Sequence, residues 1–369
     1  MKIGVIGAGD ISGIYLRNMT QVFRNTEVVS CCARHPEHAQ KKAEEFGIRA
    51  MTFDEILSDP QIELVLVLTG AAEHYSIIRR ALLAGKHVYT EKTMTITLEQ
   101  AKELVEIADE KGLYLGSAPD TFLSPAFQAV KKAIEEGKIG EVTSFQIQAT
   151  RCIDVLASFA LFLREPGGGV CQDYGVYFLT GLVNLLGPID RVMAVYQNRA
   201  TKRINCIPDS PDFGKEFEYR NESQVDAIIT TESGVTGTFS INGESLIPDL
   251  GYFNIYGTKG MISVPNMNEF MGEAILTPQP ESYFSPVEHI VLSCEYTLPD
   301  NGRGIGVAEM ADAIESGRPN RAGKEMAFHV LDTILSMEKS AESGCFESVA
   351  STCRIPEPMT KELIVKICR

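Results

Sequence analysis

Four places in this chain of 369 residues carry side chains whose types and spacing could do chemistry. The first is Gly7-Ala8-Gly9-Asp10-Ile11-Ser12. Gly7 permits a tight strand-to-helix turn, and Gly9 lacks a side chain, so backbone can approach a pyrophosphate at a helix N-terminus. Ser12 replaces the third glycine of such a fingerprint and is small enough for close packing. A bare glycine pattern is weak; this one follows the first apolar run, opens a helical pattern and sits in a βαβ unit, the context a dinucleotide site requires. The second place is Ala33-Arg34-His35, which ends the second apolar run. NAD-binding folds often carry an acid there for the ribose 2′-hydroxyl. Without it a 2′-phosphate is not repelled, and Arg34 can pair with that phosphate or stack on adenine. A solvated Arg34 is the plain alternative, so the ligand is NADP or NAD, with NADP favoured.

The third place is Glu91-Lys92-Thr93, directly after the fourth strand. Ligands bind at the carboxyl ends of parallel strands, where a lysine can polarise a substrate oxygen and lower the pKa of a neighbouring acid-base group. The fourth place is Gly167–Tyr177, where glycines lead into a run with helical apolar spacing. Asp173 and Tyr177 are four apart and so share a helix face. An acid and a phenol aimed at one point can bind and deprotonate a hydroxyl; read alone, they are equally a structural carboxylate and a core tyrosine.

The elements that must position these groups alternate. Strands are expected at 2–6, 27–33, 63–68, 87–90 and 113–116. Helices are expected after Ser12 (Ile11, Ile14, Tyr15 and Met19 on one face), at 36–46 closed by Gly47, at 73–84 closed by Gly85, and at 98–111 closed by Gly112. Such alternation predicts a doubly wound parallel sheet of the Rossmann type over residues 1–122. Residues 123–369 read as an α+β substrate-binding and oligomerisation domain. Helix 126–137 leads into a strand at 142–151, and period-two stretches follow at 225–231, 235–242, 252–256 and 261–264, predicting a large, mostly antiparallel open sheet with helices on one face. Residues 207–222 are rich in turn formers and charge and read as an exposed loop. Helices at 304–316 and 323–343 close the fold.

Composition excludes several classes. Asp plus Glu number 49 against 34 Lys plus Arg, a formal charge of −15, which opposes binding to nucleic acid or anionic membrane. No apolar run approaches the roughly 18–20 residues that cross a bilayer. A strand beginning at Lys2 leaves no room for a cleaved leader, and a cytoplasmic location is expected. The nine cysteines are scattered without a CxxC pair and the six histidines lack ligand spacing, so free thiols and no metal are expected.

Together, in this order and spacing, these motifs resemble the Gfo/Idh/MocA family, the glucose–fructose oxidoreductase and inositol dehydrogenase group. The stretches that carry the resemblance are Gly4–Gly9, Ala84–Lys92, Gly137–Val142, Gly167–Tyr177 and Ile255–Gly260. Two positions depart from the family pattern: Glu-Lys-Pro reads Glu91-Lys92-Thr93, and Asp-x-x-x-His reads Asp173-x-x-x-Tyr177. The resemblance implies oxidation of a secondary alcohol on a sugar, glycoside or cyclitol. Tyr177, assisted by Lys92, accepts the hydroxyl proton as hydride passes to nicotinamide, and Asp173 holds a neighbouring hydroxyl. A free tyrosine titrates at about pH 10, so Lys92 has to lower it. By family position Gly7, Gly9, Asp10, Ile11, Ser12, Arg34, His35, Thr69, Gly70, His74, Glu91 and Lys92 line the cofactor, Ala118–Phe122 borders nicotinamide and substrate, and Asp120 and Arg164 contact substrate. The alternatives are an NAD-dependent glycosidase with transient sugar oxidation and a ligand sensor that shares the fold without its chemistry. An open sheet face implies a homo-dimer or homo-tetramer.

Overall fold

Short apolar runs become the strands of a parallel sheet in the computed structural model, which describes residues 1–247 and 251–369. They are β1 (Lys2–Ile6), β2 (Glu27–Cys32), β3 (Arg49–Ala50), β4 (Leu64–Val67), β5 (His87–Thr90) and β6 (Leu115–Ser117), ordered β3-β2-β1-β4-β5-β6. Every residue of β4 is buried, as a strand covered by helices on both faces must be. The crossovers are helices α1 (Ser12–Gln21), α2 (Pro36–Phe46), α3 (Phe53–Ser58), α4 (Ala71–Leu83) and α5 (Leu98–Glu110). Gly47 ends α2 in the left-handed region at φ 67°, where a side chain would be strained.

β3 and α3 lie in a stretch whose periodicity gives no reading, but a capping box starts α3: Thr52 and Glu55 each satisfy the other's backbone N–H. β6 begins two residues later than 113–116. The Tyr114 N–H donates to Nδ1 of His87 at 3.0 Å, so it is committed to a side chain rather than to the sheet.

Two compact units divide the chain: Met1–Leu123 with Leu298–Phe328 and Met359–Arg369, and Ser124–Thr297 with His329–Pro358. The first cut falls next to the expected 122/123 boundary, but residues 298–328 and 359–369 return to the first unit, which corrects the continuous 123–369 domain. Side-chain amides draw the returning segment in. Asn18 Nδ2 donates to the carbonyls of Asn301 (2.7 Å) and Arg303 (2.8 Å), and Asn25 Nδ2 donates to that of Ala308 (2.7 Å). Periodicity does not report bonds of this kind.

The second unit holds α6 (Pro125–Glu135), α7 (Ile153–Phe159), α8 (Val176–Leu186) and strands β7 (Val142–Thr150), β8 (Ile189–Gln197), β9 (Lys202–Ile204), β10 (Glu216–Glu218), β11 (Gln224–Thr231), β12 (Thr236–Asn242), β13 (Gly251–Gly257), β14 (Gly260–Val264), β15 (Ala274–Pro278), β16 (Ile290–Leu292) and β17 (Glu347–Ser348). Helices α9 (Ile305–Ser316), α10 (Lys324–Ser343) and α11 (Lys361–Ile367) follow in the chain. The nine-stranded sheet runs β16-β15-β14-β13-β7-β12-β11-β8-β17. Among the described residues, only β7 and β12 of its neighbouring strands pair in parallel.

Period-two burial is plain on β7, where Phe145, Ile147 and Ala149 point inward and Gln146 and Gln148 outward. α8 is buried from Val176 to Leu185, as an all-round apolar helix must be. Residues 207–222 are not a plain exposed loop: β10 pairs with β9, and Tyr219 is fully buried beneath the Arg203 guanidinium, 4.9 Å from its ring centre. A three-residue strand is too short for alternation to reveal. Among the described residues no helix is long and apolar enough to cross a membrane.

Asn18→Ala removes both bonds to the returning segment and leaves two carbonyls unpaired, so unfolding in urea should show a loss of about 1–3 kcal/mol. A change below about 0.5 kcal/mol would contradict this account of the first unit.

Candidate active site

In the first unit, the strands that carry the candidate residues end in register. Ile6 pairs with Cys32 and with Val67, and Val67 pairs with Thr90. Gly7, Arg34, Thr69 and Lys92 therefore all emerge at the carboxyl edge of one sheet. Gly7 has φ 110°, and a Cβ there would stand 2.7 Å from the Leu68 carbonyl group, so only glycine makes this turn. A Cβ on Gly9 would meet nothing within 4 Å. Ser12, fully buried, ties the turn by donating its hydroxyl to the Gly9 carbonyl at 2.6 Å, and the Asp10 carbonyl accepts the Gly13 N–H at 3.3 Å. Ile11 caps α1 without a side-chain bond, and Gly70 does the same for α4, so first-turn N–H groups of both helices lack side-chain partners. The hydroxyls of Thr69, Thr93 and Thr121 are buried without a protein partner. A side-chain-free cradle, uncapped helix N-termini and orphaned hydroxyls at a sheet edge fit a dinucleotide.

The turn after β5 is the most constrained part of this edge. Glu91 is buried and accepts the Tyr15 hydroxyl at 2.6 Å on Oε1 and the Lys92 N–H at 3.2 Å on Oε2. Burial, followed by the Glu91 charge, raises the Tyr15 phenol well above its ordinary value and keeps it a donor. The Lys92–Thr93 peptide is cis. Fully buried His74 faces the Thr93 carbonyl with Nδ1 (2.6 Å) and the Thr69 carbonyl with Nε2 (3.0 Å), which joins the loops after β4 and β5. Burial lowers its pKa, against the pull of the two carbonyls. Both ring nitrogens thus face backbone carbonyls, and the neutral ring donates to one of them.

Arg34 and His35 lie exposed after β2; Arg34 forms an ion pair with Glu73 of α4, and the His35 ring stands 5.6 Å from that of His38. Asp120 is buried, and its Oδ2 accepts the N–H groups of Gly304 (3.1 Å) and Gly306 (2.9 Å) at the start of α9. Burial pushes its carboxyl up to about 6, against those two N–H groups and Arg303. Its role in the structure is to cap α9.

In the second unit, Asp173 and Tyr177 are both buried. They do not share one α-helix as expected. Cys171–Gly175 is a π-helical turn in which the Val176 N–H reaches back to the Cys171 carbonyl, and α8 begins only at Val176. Such turns recur at functional sites and re-aim side chains, and spacing alone does not reveal them. Arg151, which sequence reasoning missed, places Nη2 4.0 Å from Asp173 Oδ2 and its guanidinium 4.2 Å from the Tyr174 ring centre. The Tyr174 and Tyr177 rings are 6.4 Å apart. Arg164 serves the end of α7, donating Nε to the Ala157 carbonyl at 2.7 Å and stacking 3.8 Å over Phe217.

Comparison with known proteins agrees with the two-part architecture. Residues 1–118 match the oxidoreductase family with an NAD-binding Rossmann fold, and residues 127–263 match the GFO/IDH/MocA C-terminal domain. The chain is 28% identical over 346 residues to 1,5-anhydro-D-fructose reductase of Ensifer adhaerens, covering 92% of this chain and 96% of that protein. It is 27% identical over 221 residues to the scyllo-inositol 2-dehydrogenase (NADP(+)) IolW of Bacillus subtilis, covering 58% of this chain and 60% of that one. The oxidoreductase YhhX of Escherichia coli is 37% identical over 146 residues, 38% of this chain and 39% of its own length. Levoglucosan dehydrogenase in complex with NADH and L-sorbose shares the fold, with a TM-score of 0.83 at 20% identity over 95% of this chain and 99% of that one.

Gly9→Ala puts a methyl group where the protein itself leaves open space. Stability should stay within about 0.5 kcal/mol of the parent while calorimetric affinity for reduced nicotinamide dinucleotides falls at least about tenfold. Unchanged affinity would remove the pyrophosphate from this turn.

Proposed function

Because the chain belongs to the Gfo/Idh/MocA oxidoreductase family, we propose that it is an NAD(P)-dependent dehydrogenase that oxidises a secondary hydroxyl of a sugar, glycoside or cyclitol. The observation that carries this reading is the pinned Glu91-Lys92-Thr93 turn at the carboxyl edge of a dinucleotide-binding sheet. Relatives named for anhydrofructose and scyllo-inositol support the substrate class.

The nicotinamide, when bound, supplies the hydride acceptor. The Gly7–Ser12 turn and the start of α1 hold the pyrophosphate, with Thr69, Gly70 and Glu91 along the same edge. His74 fixes the loops after β4 and β5. Asp173 accepts a hydrogen bond from a substrate hydroxyl and, being buried beside Arg151, remains a fixed acceptor rather than a solvated charge. Tyr177 takes the proton of the reacting hydroxyl, and Lys92 lowers the cost of the phenolate that results. NADP is the favoured cofactor and NAD the alternative. Arg34 is exposed after β2, and its ion pair with Glu73 is of the surface kind, worth about 0–1 kcal/mol, so a 2′-phosphate can compete for it. Met193 and Ile228, cross-strand neighbours, and Val195 leave apolar area on the outer sheet face, which supports a homo-dimer or homo-tetramer.

A panel of polyols, aldoses and aryl glycosides with NAD and NADP separately tests the activity. Lys92→Ala and Tyr177→Phe should each lower kcat/KM by about 10²–10⁴-fold, and retention of more than about a tenth in both would overturn the assigned roles. Arg34→Ala should weaken NADPH about tenfold and leave NADH nearly unchanged; equal effects on both would remove the 2′-phosphate from Arg34.

A further inference from the structure

The glycine run 167–169 and the acid Glu222 have no part in the reaction proposed above, yet they meet. A Cβ on Gly169 would stand 1.9 and 2.1 Å from the two carboxylate oxygens of Glu222, and one on Gly168 would stand 2.3 Å from the Leu163 carbonyl oxygen. Backbone demands glycine at 168, and the missing side chain at 169 leaves the room that the Glu222 carboxylate occupies. Oε1 of Glu222 accepts the Cys171 N–H at 2.9 Å, and the Glu222 carbonyl accepts the Val170 N–H at 3.2 Å. The acid therefore anchors the first residue of the π-turn, where a helical turn has unpaired N–H groups. Asp173 rides on that turn, its N–H bonded to the Gly169 carbonyl at 2.8 Å.

Resting on the reading of Asp173 as a substrate-holding group, we propose that Glu222 is a positioning residue: lodged against Gly169 and holding the Cys171 N–H, it fixes the turn that presents Asp173. The groups facing it are Asp173 and Cys171 on the turn, Tyr196 on β8, Glu338 on α10 and Tyr219 ahead of β11. Asp173 and Glu338 carry its own sign. Burial, against the Cys171 N–H and with these two acids adding to it, pushes the Glu222 carboxyl up to about 7. The folded chain thus holds this proton more tightly than the unfolded chain does. Folding loses stability as pH climbs from the ordinary carboxylate range through about 7, and the loss is complete above that value. Ionised Glu222 repels Asp173; protonated Glu222 does not.

Two readouts on the full chain test this. In thermal unfolding without substrate, Glu222→Gln should match the parent near about pH 5 and exceed it increasingly toward about pH 8. Repeating the comparison on an Asp173→Asn background should move the midpoint of that difference to lower pH. A pH-independent difference, or a midpoint that Asp173→Asn leaves in place, overturns the proposal. In turnover, Glu222→Gln should keep kcat/KM within about threefold at about pH 6 and lose an inflection near 7. Glu222→Asp, too short to reach the Cys171 N–H, should lose about tenfold at every pH. An inflection that survives in Glu222→Gln overturns the proposal as well. If no sugar or cyclitol is turned over, the dehydrogenase reading fails by itself, and the unfolding profiles still decide the role of Glu222.

Discussion

A carboxylate taken out of water has to find donors, and Glu91 finds one on each oxygen: the Tyr15 hydroxyl at 2.6 Å and the Lys92 N–H at 3.2 Å. Much of the first unit is arranged around that requirement. Tyr15 is fully buried on α1, the helix that the glycine turn at Gly7 starts, so the glycine turn and the Lys92 turn are tied through one hydrogen bond. His74 adds a second tie by facing the carbonyls of Thr93 and Thr69. Asp120 adds a third by drawing the start of α9 onto the loop after β6. Each bond lies in a low-dielectric interior, where removing one partner leaves the other unpaired at a cost of about 1–3 kcal/mol or more. The backbone bearing Lys92 is held accordingly.

The second unit applies the same physics to different groups. Asp173 is buried with Arg151 beside it, and Glu222 is lodged under the turn that carries Asp173. Their environments differ: one acid has a cation for a neighbour, whereas the other has mainly backbone N–H groups and further acids. Pairs of titratable groups held in contrasting surroundings are a common way to divide roles within one site. On the proposed reading Asp173 accepts a hydrogen bond from substrate while Glu222 holds the turn in place.

Most of the sheet architecture was legible in the residues themselves. Four-residue apolar runs such as Leu64–Val67, and glycines such as Gly47 at helix ends, leave few choices for the chain. The glycine turn at Gly7 and Gly9 was legible for the same reason, since its backbone demand excludes other residues. What escaped was set by contacts distant in sequence. Residues 298–328 return to the first unit through Asn18, Asn25 and Asp120, whose amides and carboxylate bind backbone nearly two hundred residues away or more. The π-turn at Cys171–Gly175 escaped because a bond reaching five residues back changes neither residue type nor period. Arg151 and Glu222 matter through what they touch, and a sequence does not list neighbours in space. The run Gly167-Gly168-Gly169 was the available signal for Glu222, for three adjacent glycines ahead of a helix announce that something must come close.

The central claim is that this chain moves hydride between a carbohydrate or cyclitol carbon and nicotinamide. The most direct measurement uses hexoses and inositols deuterated at every carbon-bound position, incubated with the protein and oxidised cofactor in ordinary water. The account predicts reduced nicotinamide carrying one deuterium at the ring carbon that accepts hydride, read by mass and by NMR, with the matching ketone formed in equal amount. Reduced cofactor without the label, or altered sugar with no reduced cofactor released, would contradict it.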